Sequence, residues 1–445
     1  MSAARRLAIA FALTGALAPA LARAQGSPSD SLLRAYVRAM ADSTRDYFGI
    51  TAQAPDTAGL DSALAYGLAH PRARPRRRLR FLSVGPAATF SRVLGAAYGG
   101  RATLSFPGDF GRLEGQAVFA NGPDRVYGDG AYVWSREDER RDTRWTVTAG
   151  AGRTVDGLER ERFERELGAL AAFVTGNDWQ DYLRRDGVRV RLGHASPAGW
   201  QALGWRDQLE SPLATTATWT LFRAPPVVIP NAAAIAGRAH EVEADLGLRV
   251  PRSPFSLEAR SWSAGGPLGG DFRYQRTRFS AGGGLPLGRV FALAPQLEYG
   301  RLTGAALPQE AFYLGGSTLR TLDPDALQGT GEAYAHVDLI LQDDVQRLLG
   351  FREPSTFPIQ LGAFAGSGAV WGVDPASGRA APTPRDAPHA GEWRSEAGLS
   401  ALYRPGLPAP DWVVRLDYAW PLGDDGRRGR FYVSYRRALD VLSRH

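Results

Sequence analysis

Three observations predict an all-β fold, a transmembrane antiparallel β-barrel of about 16 strands behind a short helical segment: long runs alternate apolar with polar residues, the apolar faces end in aromatics, and the N-terminus has the pattern of an exported protein. The 445 residues are 44% hydrophobic and 22% charged, with 52 glycines and no cysteine. Glycine stands well above its usual roughly 7%. Past the N-terminus no uncharged apolar run approaches the roughly 20 residues of a spanning helix, which excludes a helical membrane protein. Without cysteine the chain has no disulfide, thiolate metal site or Cys nucleophile. The net charge of +7 is carried entirely by arginine, and the arginines alternate with apolar residues. That spacing argues against a nucleic-acid surface.

The first element, residues 1–24, reads as a signal peptide. Arg5 and Arg6 precede the apolar stretch Leu7 to Leu21, and Ala22-Arg23-Ala24 supplies a small-x-small cleavage site. Residues 25–80 read as a helical periplasmic segment and a basic linker. Ser27 to Ser31 offers N-caps, Leu33, Tyr36, Val37, Met40 and Tyr47 recur near helical spacing, and Asp61 to Ala69 forms a second short helix. The run Pro71 to Arg80 is a solvated basic linker or a contact for lipid phosphates.

The barrel occupies residues 81–445, and from about Phe90 onward the pattern has period two. Trp412, Val414, Leu416, Tyr418 and Trp420 share one face, with Val413, Arg415, Asp417 and Ala419 on the other. Ala333, Ala335, Val337, Leu339 and Leu341 lie opposite Glu332, Tyr334, His336 and Asp338, and Val242, Ala244, Leu246 and Leu248 lie opposite Glu241, Glu243 and Asp245. A soluble sandwich or propeller also alternates. Segments of roughly 9–13 residues, long enough for a tilted strand to cross a bilayer, favour the barrel. So do the flanking Trp134, Trp145, Trp371, Trp393, Trp412 and Trp420, read as interfacial girdles. Strand marking opens at 90–106 and includes a strand at 217–224. Two long connections remain, Thr154 to Asp186, with a helical pattern through Leu158, Phe163, Leu167, Leu170, Phe173 and Val174, and Thr303 to Gly331.

The second connection contains Phe312-Tyr313-Leu314-Gly315-Gly316-Ser317-Thr318-Leu319-Arg320-Thr321-Leu322. It resembles the Leu-Gly-Gly then Val-Arg-Gly-aromatic segment of the BamA-type outer-membrane assembly barrels, the bacterial surface antigen family. Val337-Asp338-Leu339 resembles the acidic strand that follows this loop, and Phe364-Ala365-Gly366-Ser367-Gly368-Ala369-Val370-Trp371 the family's Phe-x-Asp-x-Gly-x-Val-Trp strand. Phe90-Ser91-Arg92-Val93-Leu94-Gly95 and Asp178-Trp179-Gln180-Asp181-Tyr182 are similar to segments of related barrels. The resemblance implies that the loop is extracellular, folds into the lumen through Gly315 and Gly316, and plants Arg320 on the inner wall. It also makes Phe364, Gly368 and Trp371 the matching strand motif. Thr321 and Leu322 replace a glycine and an aromatic, and Gly366 stands where the family's aspartate would meet the arginine. Glu332 and Asp338 are therefore the candidate lumenal partners of Arg320, unless the salt bridge is missing. Strand parity then sets the 154–186 connection on the periplasmic side, opposite the motif loop.

The resemblance implies an outer-membrane barrel that takes part in inserting or exporting proteins or lipids, with outer-membrane lipid, a client protein and a periplasmic adaptor as partners. No strand-rich POTRA-type repeat precedes the barrel, so a plugged channel or structural barrel is the alternative. The six histidines are scattered, with no HExxH or close pair, and Ala281-Gly282-Gly283-Gly284 is no phosphate loop. Neither an enzyme nor a metal or cofactor is expected, and His336 beside Asp338 reads as lumen lining.

Overall fold

A computed structural model describes most of residues 82–437, apart from stretches of several connections, among them 159–171, 221–230 and 373–386. The signal peptide, the helical segment, the basic linker and the expected helix through Phe163, Leu167, Leu170 and Val174 lie outside the described residues.

The strands are β1 (Leu82–Ser91), β2 (Gly95–Ser105), β3 (Arg112–Ala120), β4 (Arg125–Asp138), β5 (Thr143–Gly157), β6 (Tyr182–Ser196), β7 (Gly199–Pro212), β8 (Gly237–Arg249), β9 (Phe255–Ala264) and β10 (Tyr274–Gly283). They continue as β11 (Leu285–Leu287), β12 (Phe291–Gly304), β13 (Phe312–Leu314), β14 (Leu327–Gly329), β15 (Gly331–Leu341), β16 (Ile359–Trp371), β17 (Arg394–Tyr403), β18 (Trp412–Leu422) and β19 (Arg430–Arg437). Each pairs antiparallel with its sequence neighbour from β1 to β10. Both β10 and β11 pair with β12, so they form one stave interrupted at Gly284. The ladder then runs β12–β15–β16–β17–β18–β19, while β13 and β14 form a separate hairpin. The main sheet has 17 strands. With β10 and β11 merged it has 16 staves, as the sequence predicts.

The equal count conceals two compensating differences. The stretch expected as one strand, 90–106, is a hairpin, with β1 before the turn Arg92–Leu94 and β2 after it. Two of its three turn residues are apolar because the turn is buried: Val93 is fully inaccessible, and Leu94 packs with Tyr127 and Tyr182. Gly95 closes it at φ 63°, where a Cβ would sit 2.4 Å from Asn121 Oδ1. Conversely, β7 pairs directly with β8, so the expected strand 217–224 has no place in the ladder between them; Ala217 and Thr220 lie outside any strand, and 218, 219 and 221–224 lie outside the described residues. The β5–β6 connection shortens to 158–181 and follows an odd-numbered stave, as does the motif loop after β12. Both therefore emerge on the same side, which corrects the expected opposite placement.

The two faces of the sheet differ in chemistry. Val188, Val190 and Leu192 of β6 and Leu416, Tyr418 and Trp420 of β18 are exposed outward. On β8, Glu241, Glu243 and Asp245 are buried inward while Leu248 is exposed. The inner charges are paired, for example Arg185 with Glu210 (2.9 Å), Arg191 with Glu243 (3.0 Å) and Arg278 with Glu332 (2.9 Å). An apolar outside around a charged inside is the pattern of a membrane barrel. Of the expected girdle, Trp145, Trp393 and Trp420 are exposed and Trp134 is half-buried, whereas Trp371 is buried. The side chain of Trp412 lies outside the described residues.

The motif loop shows that the sheet is curled. Gln309 touches Glu210 on the seventh stave, and Arg320 touches Asp417 on the fifteenth. Across a flat sheet those staves are roughly 38 Å apart at about 4.8 Å per strand. A stretch that contains the turn Gly315–Thr318 cannot bridge that gap unless the staves bend around it.

Candidate functional site

The motif loop leaves β12 at Gly304, makes a 3-10 turn at Pro308–Glu310, and enters the hairpin β13–β14. Gly315 and Gly316 then adopt φ 142° and 57°, which side chains rarely tolerate. The turn is fixed by Thr318, whose Oγ1 accepts from Gly315 N (2.9 Å) and donates to Gly315 O (3.0 Å). Gly316 N donates to Leu322 O (3.3 Å), and Tyr334 Oη donates to Thr318 O (3.0 Å). Leu314, Leu319 and Tyr334 pack together beneath it.

That turn aims Arg320 at the inner wall. Its Nε donates to Asp417 Oδ2 (2.6 Å), its Nη1 lies 3.6 Å from Glu396 Oε1, and its guanidinium lies 4.3 Å over the Phe364 ring. Thr321 N donates to Glu396 Oε2 (2.8 Å). Asp417 is in turn held by Ser400 Oγ (2.6 Å) and Arg415 Nε (2.7 Å). Arg320 is 5% exposed, and Glu396 and Asp417 are fully buried. A charge so buried needs such partners.

Glu332 and Asp338 are therefore not the direct partners of Arg320. Glu332 faces Arg278, while Asp338 binds Arg415 Nη2 (2.6 Å) and lies 3.1 Å from His336 Nε2. Asp338 joins the cluster at second hand, because Arg415 bridges it to Asp417. The acids that meet Arg320 come from β17 and β18, and Glu396 stands directly across the ladder from Gly366. Sequence reading placed Asp417 on the polar face, but nothing in a linear pattern shows which acid a loop 97 positions away will reach.

The strand motif supports the loop. Phe364 is the platform under Arg320, and a Cβ on Gly368 would stand 3.0 Å from Leu314 Cδ1, so glycine lets β13 lie against β16. The Trp371 ring crosses Gly331 beside Tyr299 (6.0 Å), and its carbonyl accepts from Thr330 N (3.0 Å).

Two further anchors are not evident from sequence. Phe312 lies on Gly300, where a Cβ would collide with its ring at 2.4 Å, and Arg276 stacks over both Phe312 (4.5 Å) and Trp262 (4.8 Å). Gln309 Nε2 donates to Glu210 Oε2 (3.2 Å) and Ile235 O (3.0 Å), and its Oε1 accepts from Ile235 N (3.2 Å). The loop is thus tied to the β7–β8 connection.

That connection also reaches the first hairpin. Thr216 N and Ala217 N donate to Arg92 O at 2.8 and 2.9 Å, and Thr216 Oγ1 donates to Val93 O (2.9 Å). Asn231 accepts from Tyr182 N (2.8 Å) and donates to Tyr182 O (2.7 Å) and Leu213 O (2.9 Å). Arg92 pairs with Asp181, donates to Gln180 O (2.8 Å), and gives its backbone N–H to Asp178 Oδ2 (2.7 Å). Tyr182 Oη donates to Asp178 Oδ1 (2.9 Å). Burial nonetheless holds the Asp178 carboxyl above its ordinary range, against the pull of the Arg92 N–H and the Tyr182 hydroxyl. The two short sequence motifs, Phe90–Gly95 and Asp178–Tyr182, thus meet at one buried junction. Among the described residues no group of three or more His, Asp or Glu side chains is placed to hold a metal ion.

No protein-family model matches the chain, and no curated protein matches it in sequence. Among solved structures it is similar to BamA from Haemophilus ducreyi lacking POTRA domains 1-3, at 12% identity and TM-score 0.47, over 80% of this chain and 70% of that one. It is also similar to CdiB from Acinetobacter baumannii, at 10% identity and TM-score 0.40, where 80% of this chain spans 58% of the other. A third similar structure is OccK11 (OpdR) of Pseudomonas aeruginosa, at 12% identity and TM-score 0.32, over 80% of this chain and 92% of that one.

Proposed function

We propose that this protein is an outer-membrane barrel that takes part in inserting or exporting a protein or lipid client, with its motif loop as an internal plug and brace. The observation that carries this reading is the burial of Arg320 against Asp417 and Glu396 on the last staves before β19. A loop held there closes the lumen to passive flux and steadies the side of the barrel that ends the chain. A barrel plugged in this way handles a client by rearranging, since its pore is occupied. A periplasmic adaptor fits the proposal, because the residues before β1 read as short helices and a linker.

The second reading is a plugged channel or structural barrel. The three separate anchors of the loop, at Gln309, Phe312 and Arg320, favour it, because a plug held so firmly is costly to move. Depletion of the protein followed by a census of outer-membrane and secreted proteins separates the two. Selective loss of one client class supports the first reading, and an unchanged census supports the second. Planar-bilayer recordings add a second readout, with small erratic openings expected for a plugged assembly barrel and large steady conductance for an open pore.

A further inference from the structure

The three anchors of the motif loop lie on β7, on β10 and β12, and on β17 and β18. The inner wall of β10, β15, β17 and β18 is covered, since Arg278, Glu332, His336, Glu396 and Asp417 are all buried. The inner wall of β2–β6 differs. Glu243 is inward, so its partner Arg191 (3.0 Å) is inward too, and by alternation so is Arg189. Arg189 reaches Asp129 at 3.0 Å, and the register carries that face from Asp129 to Gln116 and on to Arg101. Glu114 and Arg112 continue it along β3. On this inward face Arg101, Arg112, Gln116 and Arg191 are exposed to water.

Glycine makes the room. Gly85 stands opposite Arg101, Gly150 opposite Arg189 and Gly204 opposite Arg191. A Cβ on Gly85 would lie 3.5 Å from Arg101 Nε, and one on Gly150 would lie 3.4 Å from Arg189 Nε. These arginines therefore lie along the wall and leave the space above it to water. At the end nearest the motif loop, this half of the lumen is shut by the buried cluster of Val93, Leu94, Tyr127 and Tyr182. At the other end it stops at the short connections β2–β3 and β4–β5.

Between those ends, one arginine differs from the rest. Arg112 is matched by Glu114, Arg144 by Glu137 (3.6 Å), Arg189 by Asp129, and Arg191 by Glu243 and Asp245. Arg101 meets no carboxylate among the described residues. We propose that ions crossing this barrel pass along the β2–β6 wall when the buried cluster parts, and that Arg101 gives them an anion preference. Matched pairs largely cancel in the field of the lumen, so the uncompensated charge sets its sign. The inference rests on the barrel spanning a membrane and not on any client, so an unchanged client census leaves it standing.

The test is bilayer recording of the purified full-length chain under a potassium chloride gradient. The brief openings of the wild type are expected to reverse at a potential displaced from zero toward that of chloride. Arg101→Gln, an exposed change checked for an intact barrel by heat-modifiability, removes the displacement, and Arg101→Glu turns it toward potassium. Arg153→Gln takes an arginine from the outer face, opposite Asp186, and keeps the wild-type value. As a second readout, Arg101→Cys is expected to lose current to a water-soluble anionic thiol reagent, the chain having no cysteine of its own. A silent bilayer, or a wild-type reversal at zero or toward potassium, overturns the proposal. So does an undiminished preference in Arg101→Gln, an equal loss in Arg153→Gln, or an Arg101→Cys current that the reagent leaves unchanged.

Discussion

Glu396 lies directly across the β16–β17 ladder from Gly366, so the carboxylate that Gly366 lacks is supplied by the neighbouring strand. A Cβ at Gly366 would meet Glu396 Cγ at an ordinary contact of 3.8 Å and would crowd His336 Nδ1 at 3.1 Å, so the glycine makes room for the His336 ring. Arg320 meets Glu396 and Asp417 together, which accounts for a buried arginine where the expected aspartate is missing.

Removing the arginine is correspondingly severe. Arg320→Ala leaves the fully buried Glu396 without its cation and Asp417 with Arg415 alone, and breaking a buried pair costs about 3–5 kcal/mol. Heat-modifiability on gels reports this as a lower unfolding temperature, and bilayer recording as increased conductance. Asp417→Asn, which removes the direct 2.6 Å partner, exceeds Glu396→Gln in both effects.

The Phe312 anchor is tested by bulk. Gly300→Val drives a side chain into the Phe312 ring, which a Cβ alone would approach to 2.4 Å. The loop is expected to lift from β12, with a rise in conductance while the far-ultraviolet β signal stays unchanged. An unaltered conductance would show that Arg276 and Phe312 do not hold the plug.

At the first hairpin, Asp178 gives a pH signature. Its native pKa is raised by burial, so the native state favours the protonated acid. Its contribution to stability is therefore full below the ordinary carboxylate value near about 3.9 and is lost as pH rises through the raised value. In urea unfolding followed across that window, the stability of wild type minus that of Asp178→Asn declines with rising pH. A difference that grows with pH contradicts the assignment.

The β7–β8 connection acts as a strap between the motif loop and the first hairpin. Asn231→Ala removes three hydrogen bonds at Tyr182 and Leu213 and is expected to destabilise by about 1–3 kcal/mol. If the strap transmits force, Gln309→Ala and Asn231→Ala are non-additive, and a double-mutant cycle on unfolding midpoints measures the coupling. Strict additivity removes the strap from the account.

Alternation made the staves legible from sequence, because a half-buried strand writes its two faces at period two. The faces of β8 and β15 follow the predicted residues one by one. It failed where burial imitates a strand, as at Val93 and Leu94, whose apolar turn hid the β1–β2 hairpin. The error at that turn and the strand wrongly placed at 217–224 cancelled in the count but reversed the side of the β5–β6 connection. Within the site, Gly315, Gly316 and Arg320 were legible because turn geometry and a charge in a loop are local properties. The acids that receive Arg320 were not, since the curling of the sheet decides which staves face the loop.

The motif loop lies inside the barrel against its last staves. Asp323 in the loop accepts a hydrogen bond from Arg430 Nη2 of β19 at 2.7 Å. The chain has no cysteine of its own, so Asp323→Cys with Arg430→Cys gives a single unambiguous pair. Treated with a short thiol cross-linker in intact membranes, this pair is expected to link in most molecules and to block the mobility shift on heating. No link, in a barrel whose control pair at Tyr418 and Phe431 joins readily, would contradict the account.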